Sequence, residues 1–307
     1  MALEIFEFQR ANNQIYAKWA HLLQPVDKQI KSIADLPFLP INLFKNNNLN
    51  FKPSAQITFS SSSTTGQGQS FHPVFSLDIY EKSCVKAFEL SYGSLKQYHL
   101  FALLPNYLER EGSSLIYMVN HFIKNHCAGG GFYLHNYNQL QADLQTSLEK
   151  NQPTILLGVT FALLDFAHSH PLKSAENLLV METGGMKGRG PELTRFELHS
   201  TLQNALGVSA IHSEYGMTEL LSQAYSLGNG RFNCPPWMKI LIQDPADPLQ
   251  WMPHGKTGRV CVIDLANVYS CSFIATDDLG KLYPDGSFEI LGRLDFSDVR
   301  GCSQLSL

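Results

Sequence analysis

This 307-residue chain has little charge, no cluster of cysteines or histidines, and no long apolar run. Charged residues make up 16%, the net charge is −4, and no extended basic stretch occurs. Nucleic-acid binding needs a basic footprint, so nucleic acid is not an expected partner. Without 18 consecutive apolar residues no membrane-spanning helix is expected. The N-terminus, Met1-Ala-Leu-Glu-Ile-Phe-Glu7, lacks the basic and then apolar pattern of a secretory leader, so a cytoplasmic location is expected. The six cysteines (84, 127, 234, 261, 271 and 302) form no CxxC and no zinc spacing, and read as free thiols in a reducing compartment. His121 and His126 stand five apart and His168 and His170 two apart. Neither spacing puts its pair on one helix face, and no structural metal is expected.

What is present is a large apolar fraction, 44%, enough for one large domain or two medium ones. Helical spacing over residues 2–34 predicts two helices broken near Pro25. Residues 34–53, with three prolines and an Asn cluster, read as a loop with at most short strands. From there helices and apolar strands alternate. Helices are expected from Asp78 (a candidate N-cap) to Tyr92, from Ser113 to about Asn125, from Asn138 to Glu149, to about His168, and from Pro191 in a first turn. Strands are expected at 98–105, 131–134, 153–159, 177–181 and 208–212. This order predicts an α/β fold with mostly parallel strands covered by helices over residues 1–222. Past residue 223 short runs at 237–242, 259–263 and 288–291, separated by Pro, Gly and Asp, predict a smaller antiparallel β subdomain over 223–307.

Four segments carry candidate chemistry. Phe59-Ser-Ser-Ser-Ser-Thr-Thr-Gly-Gln-Gly-Gln69 offers six hydroxyls and approachable backbone N–H groups, which suits a polyphosphate. Taken alone, a flexible Ser/Gly linker is the commoner fate of that composition. Glu182-Thr-Gly-Gly-Met-Lys-Gly-Arg-Gly190 follows a predicted strand, and its glycines permit either a flat wall for a planar ligand or a tight turn. His212-Ser-Glu-Tyr-Gly-Met-Thr-Glu219 supplies an aromatic face, a hydroxyl and a carboxylate, or simply a helix N-terminus. Phe273-Ile-Ala-Thr-Asp-Asp-Leu-Gly280, with Asp285-Gly286 and Gly292-Arg293 behind it, sets Asp278 at an expected strand end. There Asp278 and Arg293 fit either a ribose or a surface ion pair. In open α/β sheets ligands gather beyond the carboxyl ends of strands.

In this order the four segments resemble the signature of the adenylate-forming superfamily of acyl-CoA synthetases, luciferase and peptide-synthetase adenylation domains, over roughly residues 57–301. The resemblance implies an adenylate-forming N-terminal domain using ATP and Mg²⁺. Ser62, Ser63, Thr64, Thr65 and Gly66 would hold the phosphates, Gly184 and Gly185 would line the adenine, and Tyr215, followed by Gly216, would stack on it. Thr218 would support the α-phosphate, Glu219 would bind Mg²⁺, and Asp278 and Arg293 would hold the ribose. The reaction implied is attack of a substrate carboxylate on the α-phosphorus, giving an acyl adenylate and pyrophosphate. Gln67-Gly-Gln69 stands where the family has Pro-Lys, Asp277 replaces the glycine of Thr-Gly-Asp, and the mobile C-terminal domain is expected to be absent.

In its short form the chain resembles the acyl-protein synthetases of bacterial bioluminescence, which pass a fatty acyl group through a cysteine to a reductase partner. That likeness makes Cys302 a candidate acyl acceptor, alongside a plain tail cysteine. The expected partners are ATP, a carboxylic and specifically fatty acid, and an acyl-acceptor protein (a reductase or carrier). Apolar groups near 98–105 and 127–133 are the expected acyl pocket. The alternatives are the N-terminal part of an acyl- or aryl-CoA ligase and a non-catalytic nucleotide- or acyl-binding subunit.

Overall fold

The computed structural model describes residues 1–23, 30–46, 54–61, 69–104, 112–173, 175–184 and 193–294. The chain opens with helices α1 (Ala2–Asn12) and α2 (Gln14–Leu23), then β1 (Leu39–Pro40) and a single turn, α3 (Leu43–Asn46). The break between α1 and α2 lies at Asn13, not near Pro25. Asn13 Oδ1 accepts from the N–H groups of Ile15 and Tyr16 at 3.1 and 3.0 Å and so caps the second helix.

A hairpin of β2 (Ile57–Ser60) and β3 (Phe71–Val74) leads into α4 (Leu77–Tyr92). Asp78 is not the cap of α4. Gln56 Oε1 accepts from Leu77 N–H at 2.6 Å at the helix start, while Asp78 pairs with Lys82 one turn on. The α/β alternation then follows: β4 (His99–Leu103), α5 (Ser114–Asn125), β5 (Gly129–Tyr133), α6 (Tyr137–Glu149), β6 (Thr154–Val159), α7 (Thr160–Ser169), β7 (Leu178–Thr183), α8 (Arg195–Leu206) and β8 (Ile211–Tyr215). Ser113 and Asn136 cap α5 and α6 with their side chains. Helix α8 starts at a Thr194–Glu197 capping box rather than at Pro191, which lies outside the described residues.

Strands β8, β7, β6, β4 and β5 lie side by side and parallel, in that order. All six residues of β6 are buried, so both of its faces are covered by packed side chains. A Cβ on Gly130 would overlap the Leu100 carbonyl, so strand pairing accounts for a glycine in the Gly129–Gly131 run.

The remaining strands are β9 (Ala224–Ser226), β10 (Phe232–Asn233), β11 (Met238–Gln243), β12 (Thr257–Asp264), β13 (Phe273–Leu282) and β14 (Phe288–Arg293). They form the antiparallel part, in the order β11, β12, β13, β14, β10, β9. Antiparallel pairing of β8 with β9 joins this part to the parallel strands, and β1 adds to β13 in parallel. Two segments differ from expectation. Thr276, Asp277 and Asp278 fall inside β13, which runs on to Leu282 along its two antiparallel neighbours. His212 to Tyr215 lie within β8, held extended by β7 and β9, rather than after it.

One core cluster lies around the parallel strands and a second around the antiparallel ones, where α1 and α2 pack. The buried Gln9 amide holds α1 there, donating to the carbonyls of Asn267 and Val268 while its oxygen accepts from Ser272 N–H. The His121 and His126 rings do meet, Nε2 to Nε2 at 3.1 Å, because His126 has left the helix and folds back on it. Among the described residues no three His, Cys, Asp or Glu side chains gather as a metal site, and no helix is long and apolar enough to cross a membrane.

Candidate active site

The carboxyl ends of β7 and β8 are adjacent, with Thr183 opposite Glu214. Thr183 Oγ1 donates to Glu214 Oε2 at 2.5 Å, and Thr160 Oγ1 donates to the Gly184 carbonyl at 2.6 Å. Gly184 has φ +69°, a left-handed conformation that a side chain would strain. Glu182 and Glu214 are buried carboxylates on these neighbouring strands. Burial pushes Glu214 up to about 7; the Thr183 bond opposes that rise and the Glu182 charge adds to it. A Cβ on Gly216 would overlap Glu214 Oε1, so the glycine after Tyr215 lets the chain pass this carboxylate.

Tyr215 ends β8 with its ring only 8% exposed, edge-on to Phe232 and Phe288 at 5.9 and 5.5 Å between centroids. Its hydroxyl donates to Asp278 Oδ2 at 2.9 Å. Asp278 also faces Arg293 across the β13–β14 register, with Nε to Oδ1 at 3.8 Å, and the arginine is 81% exposed. Burial raises the Asp278 carboxyl above the usual aspartate range, while the Tyr215 hydroxyl and the Arg293 charge oppose the rise. These three residues come from segments 63 and 15 positions apart and meet at one point.

After β8 the chain turns through Thr218 and Glu219, and three other elements hold it. His72 Nδ1, on β3, donates to the Thr218 carbonyl at 2.7 Å, and its Nε2 lies 3.1 Å from Asn267 Oδ1. Asn267 Nδ2 in turn donates to the Glu219 carbonyl at 2.8 Å. Burial pushes His72 down to about 4 despite both bonds. Just downstream, the buried Asp264 carboxylate accepts from Leu221 N–H at 2.7 Å and from Ser222 Oγ at 2.5 Å. The Glu219 side chain is 6% exposed. Burial raises its pKa, opposed by a hydrogen bond with Ser70 and by the charges of Arg293 and Lys45. Ser70 also closes the neck of the hairpin, its carbonyl accepting from Ser61 N–H at 3.0 Å.

The structure therefore brings Gly184, Tyr215, Gly216, Thr218, Glu219, Asp278 and Arg293 to the ends of β7 and β8 and the β13–β14 pair. Ser62, Ser63, Thr64, Thr65, Gly66, Gly185 and Cys302 lie outside the described residues. Sequence reading missed His72, Glu214, Asn267 and Lys45. His72 had a usable signal: β3 alternates, with Phe71 exposed and His72 and Val74 buried.

No family model and no curated protein sequence matches the chain. Solved structures do. ATP-bound MatB from Rhodopseudomonas palustris is 18% identical with a TM-score of 0.58, covering 77% of this chain and 47% of that one. A 2-hydroxyisobutyryl-CoA ligase, solved in the postadenylation state with R3-HIB-AMP, is 13% identical with a TM-score of 0.69, covering 96% and 66%. Amide bond synthetase McbA from Marinactinospora thermotolerans is 19% identical with a TM-score of 0.52, covering 78% and 49%. The chain thus spans about half the length of MatB and of McbA. Likenesses at this level of identity establish the architecture alone, an α/β arrangement with a smaller antiparallel part that the chain shares with these three structures.

Proposed function

We propose that this protein activates a carboxylic acid, a fatty acid by preference, as its acyl adenylate and passes the acyl group to a protein thiol. One observation carries the reading. Three stretches distant in sequence converge: Tyr215, Asp278 and Arg293 form one contact, and the Arg293 charge acts on Glu219, four residues after Tyr215. Asp278 and Arg293 then hold the ribose, with Tyr215 beside the base. Tyr215 is well suited to that place because its orientation is fixed by Phe232, Phe288 and Asp278. Gly184 is the adenine wall together with Gly185, and Ser62, Ser63, Thr64, Thr65 and Gly66 are the phosphate-holding residues.

Among the described residues Glu219 belongs to no group of three His, Cys, Asp or Glu side chains, and a single carboxylate suits Mg²⁺ carried in with the phosphates. Glu219 would hold Mg²⁺, which would supply charge neutralisation at the phosphate oxygens. The protein's own work is positioning. Thr218 orients the α-phosphate so that a substrate carboxylate oxygen bonds to the α-phosphorus as the bond to the bridging oxygen breaks and pyrophosphate leaves. In the second step a thiol loses its proton, its sulfur bonds the acyl carbon, and the bond to AMP breaks. Burial raises Cys84, Cys127, Cys234, Cys261 and Cys271, with Cys84, Cys127, Cys234 and Cys271 pushed up to about 12, so none of these five is a ready thiolate. That favours Cys302, the sixth cysteine of the sequence, as the acceptor.

ATP–pyrophosphate exchange across a panel of fatty and aromatic acids tests the first step. Exchange that depends on one acid class and is abolished in Glu219→Gln is the expected result. No exchange with any acid would leave a non-catalytic nucleotide- or acyl-binding protein. Self-acylation lost in Cys302→Ser, with exchange retained, tests the second step. Turnover of CoA without an acyl-protein intermediate points instead to an acyl-CoA ligase.

A further inference from the structure

Between Lys52 and Lys82 the sequence contains no lysine or arginine, although this span includes the hydroxyl-rich run and both strands of its hairpin. The polyphosphate of the proposed reaction carries several negative charges, so a cation has to come from elsewhere in the fold. The contacts that hold the Thr218 segment show where one enters. Strand β1 adds to β13 with Pro40 opposite Ala275, and Ile41 N–H donates to the Ala275 carbonyl at 2.9 Å. The chain then turns at once, Phe44 N–H to the Ile41 carbonyl at 3.0 Å and Lys45 N–H to the Asn42 carbonyl at 3.1 Å. Phe44 is fully buried with its ring edge-on to the His72 imidazole, 5.7 Å between centroids. His72 is the residue that holds the Thr218 carbonyl.

One buried aromatic contact therefore anchors the short turn of α3 to the strand that leaves the hydroxyl-rich run and to the segment carrying Thr218 and Glu219. Lys45 is the next residue after that anchor, and it is only half-buried.

We infer that Lys45 is the cation that meets the polyphosphate of ATP or pyrophosphate at this site. The inference rests on the nucleotide-binding reading above and adds a residue that none of its motifs contains. An ammonium on a flexible stem acts on phosphate as a point charge and does not need the fixed fork of an arginine. A phosphate ligand is favoured over the substrate carboxylate because Lys45 is anchored through β3, the strand that leaves the hydroxyl-rich run, and not through β4 or β5.

Lys45→Met and Lys45→Arg test the assignment. Calorimetric titration with inorganic tripolyphosphate, with AMP and with MgATP is run in the absence of acid, and melting temperatures are compared to show that the fold is intact. Lys45→Met is expected to weaken tripolyphosphate and MgATP about tenfold, to change AMP less than about threefold, and to be largely restored by Lys45→Arg. In the exchange assay the KM for ATP rises and the KM for the acid does not. Wild-type affinity for tripolyphosphate in Lys45→Met overturns the inference, as does equal weakening of AMP and tripolyphosphate. A shift confined to the acid KM also overturns it and moves Lys45 to the carboxylate. If the wild type shows no exchange but binds tripolyphosphate through Lys45, the reaction assignment fails and this one stands. Exchange that is unchanged in both variants has the opposite meaning.

Discussion

Tyr215 donates its hydroxyl to Asp278 Oδ2 at 2.9 Å, tying the last residue of β8 to the middle of β13. The bond is where the parallel and antiparallel parts of the sheet meet at the candidate site. It also opposes the rise that burial imposes on the Asp278 carboxyl.

Replacing Tyr215 by Phe removes this donor and leaves the ring packing. The loss in stability is expected to be about 1–3 kcal/mol, the cost of leaving a buried acceptor without its partner. The Asp278 carboxyl then rises further, so the acidic limb of the exchange profile moves to higher pH and the KM for ATP increases at the acid end. Urea unfolding and pH-dependent exchange kinetics measure the two effects. An unmoved acidic limb would mean that Asp278 is not a nucleotide ligand.

Arg293 makes the opposite case. It is 81% exposed and its nitrogen stands 3.8 Å from Asp278, so the pair contributes little to the fold. Arg293→Ala is expected to unfold within about 0.5 kcal/mol of the wild type. Its KM for ATP should nonetheless rise roughly three- to tenfold, because an ionic contact to the bound nucleotide is lost. A large drop in stability with unchanged ATP kinetics would assign the arginine to the fold instead.

Strands β4, β6 and β7 were readable because each is a short, largely apolar run next to Pro or Asn, and β6 is buried along its whole length. The stretches that the structure brings together, 215–219, 278 and 293, were readable because each places small or polar residues in or beside a strand. The links between the segments were not. His72 and Thr218 are 146 positions apart, and Gln9 and Ser272 are 263 apart, so no local pattern announces either bond. No pattern in the sequence singles out Glu214. Only the pairing of β7 with β8 and of β8 with β9 buries it and gives it Thr183 as donor. The strand boundaries at Tyr215 and Asp278 were misplaced for a related reason: neighbouring strands keep those residues extended beyond where composition suggests a stop.

Glu214 and His72 give opposite pH signatures. Glu214 is raised to about 7 from about 4.5, so the folded state binds the extra proton between those values. Its contribution is fully present below about 4.5 and is lost as pH rises to about 7, a change on the order of 3 kcal/mol. His72 is lowered to about 4 from 6.5, so its contribution is present above 6.5 and is lost as pH falls to about 4. In Glu214→Gln, which keeps an acceptor for Thr183, melting relative to the wild type should improve steadily from pH 5 to pH 7. In His72→Gln the difference should shrink as pH falls below 6. Parallel curves for variant and wild type in either case would remove that residue from the pH response.

Gly216 supplies the most direct test of local geometry. A Cβ there overlaps Glu214 Oε1 and comes within 3.4 Å of Gln223 Cγ, so Gly216→Ala forces a buried carboxylate aside. The expected loss is about 1–3 kcal/mol, the usual range for overpacking. Truncating the obstacle should recover part of it. Glu214→Ala is itself destabilising, because Thr183 Oγ1 loses its acceptor. The double variant should nevertheless be more stable than the sum of the two single losses by about 1 kcal/mol or more, as residues in direct contact require. Urea unfolding of the wild type and the three variants closes this cycle. Strict additivity would show that Gly216 is needed for its backbone alone and that the carboxylate of Glu214 does not press against it.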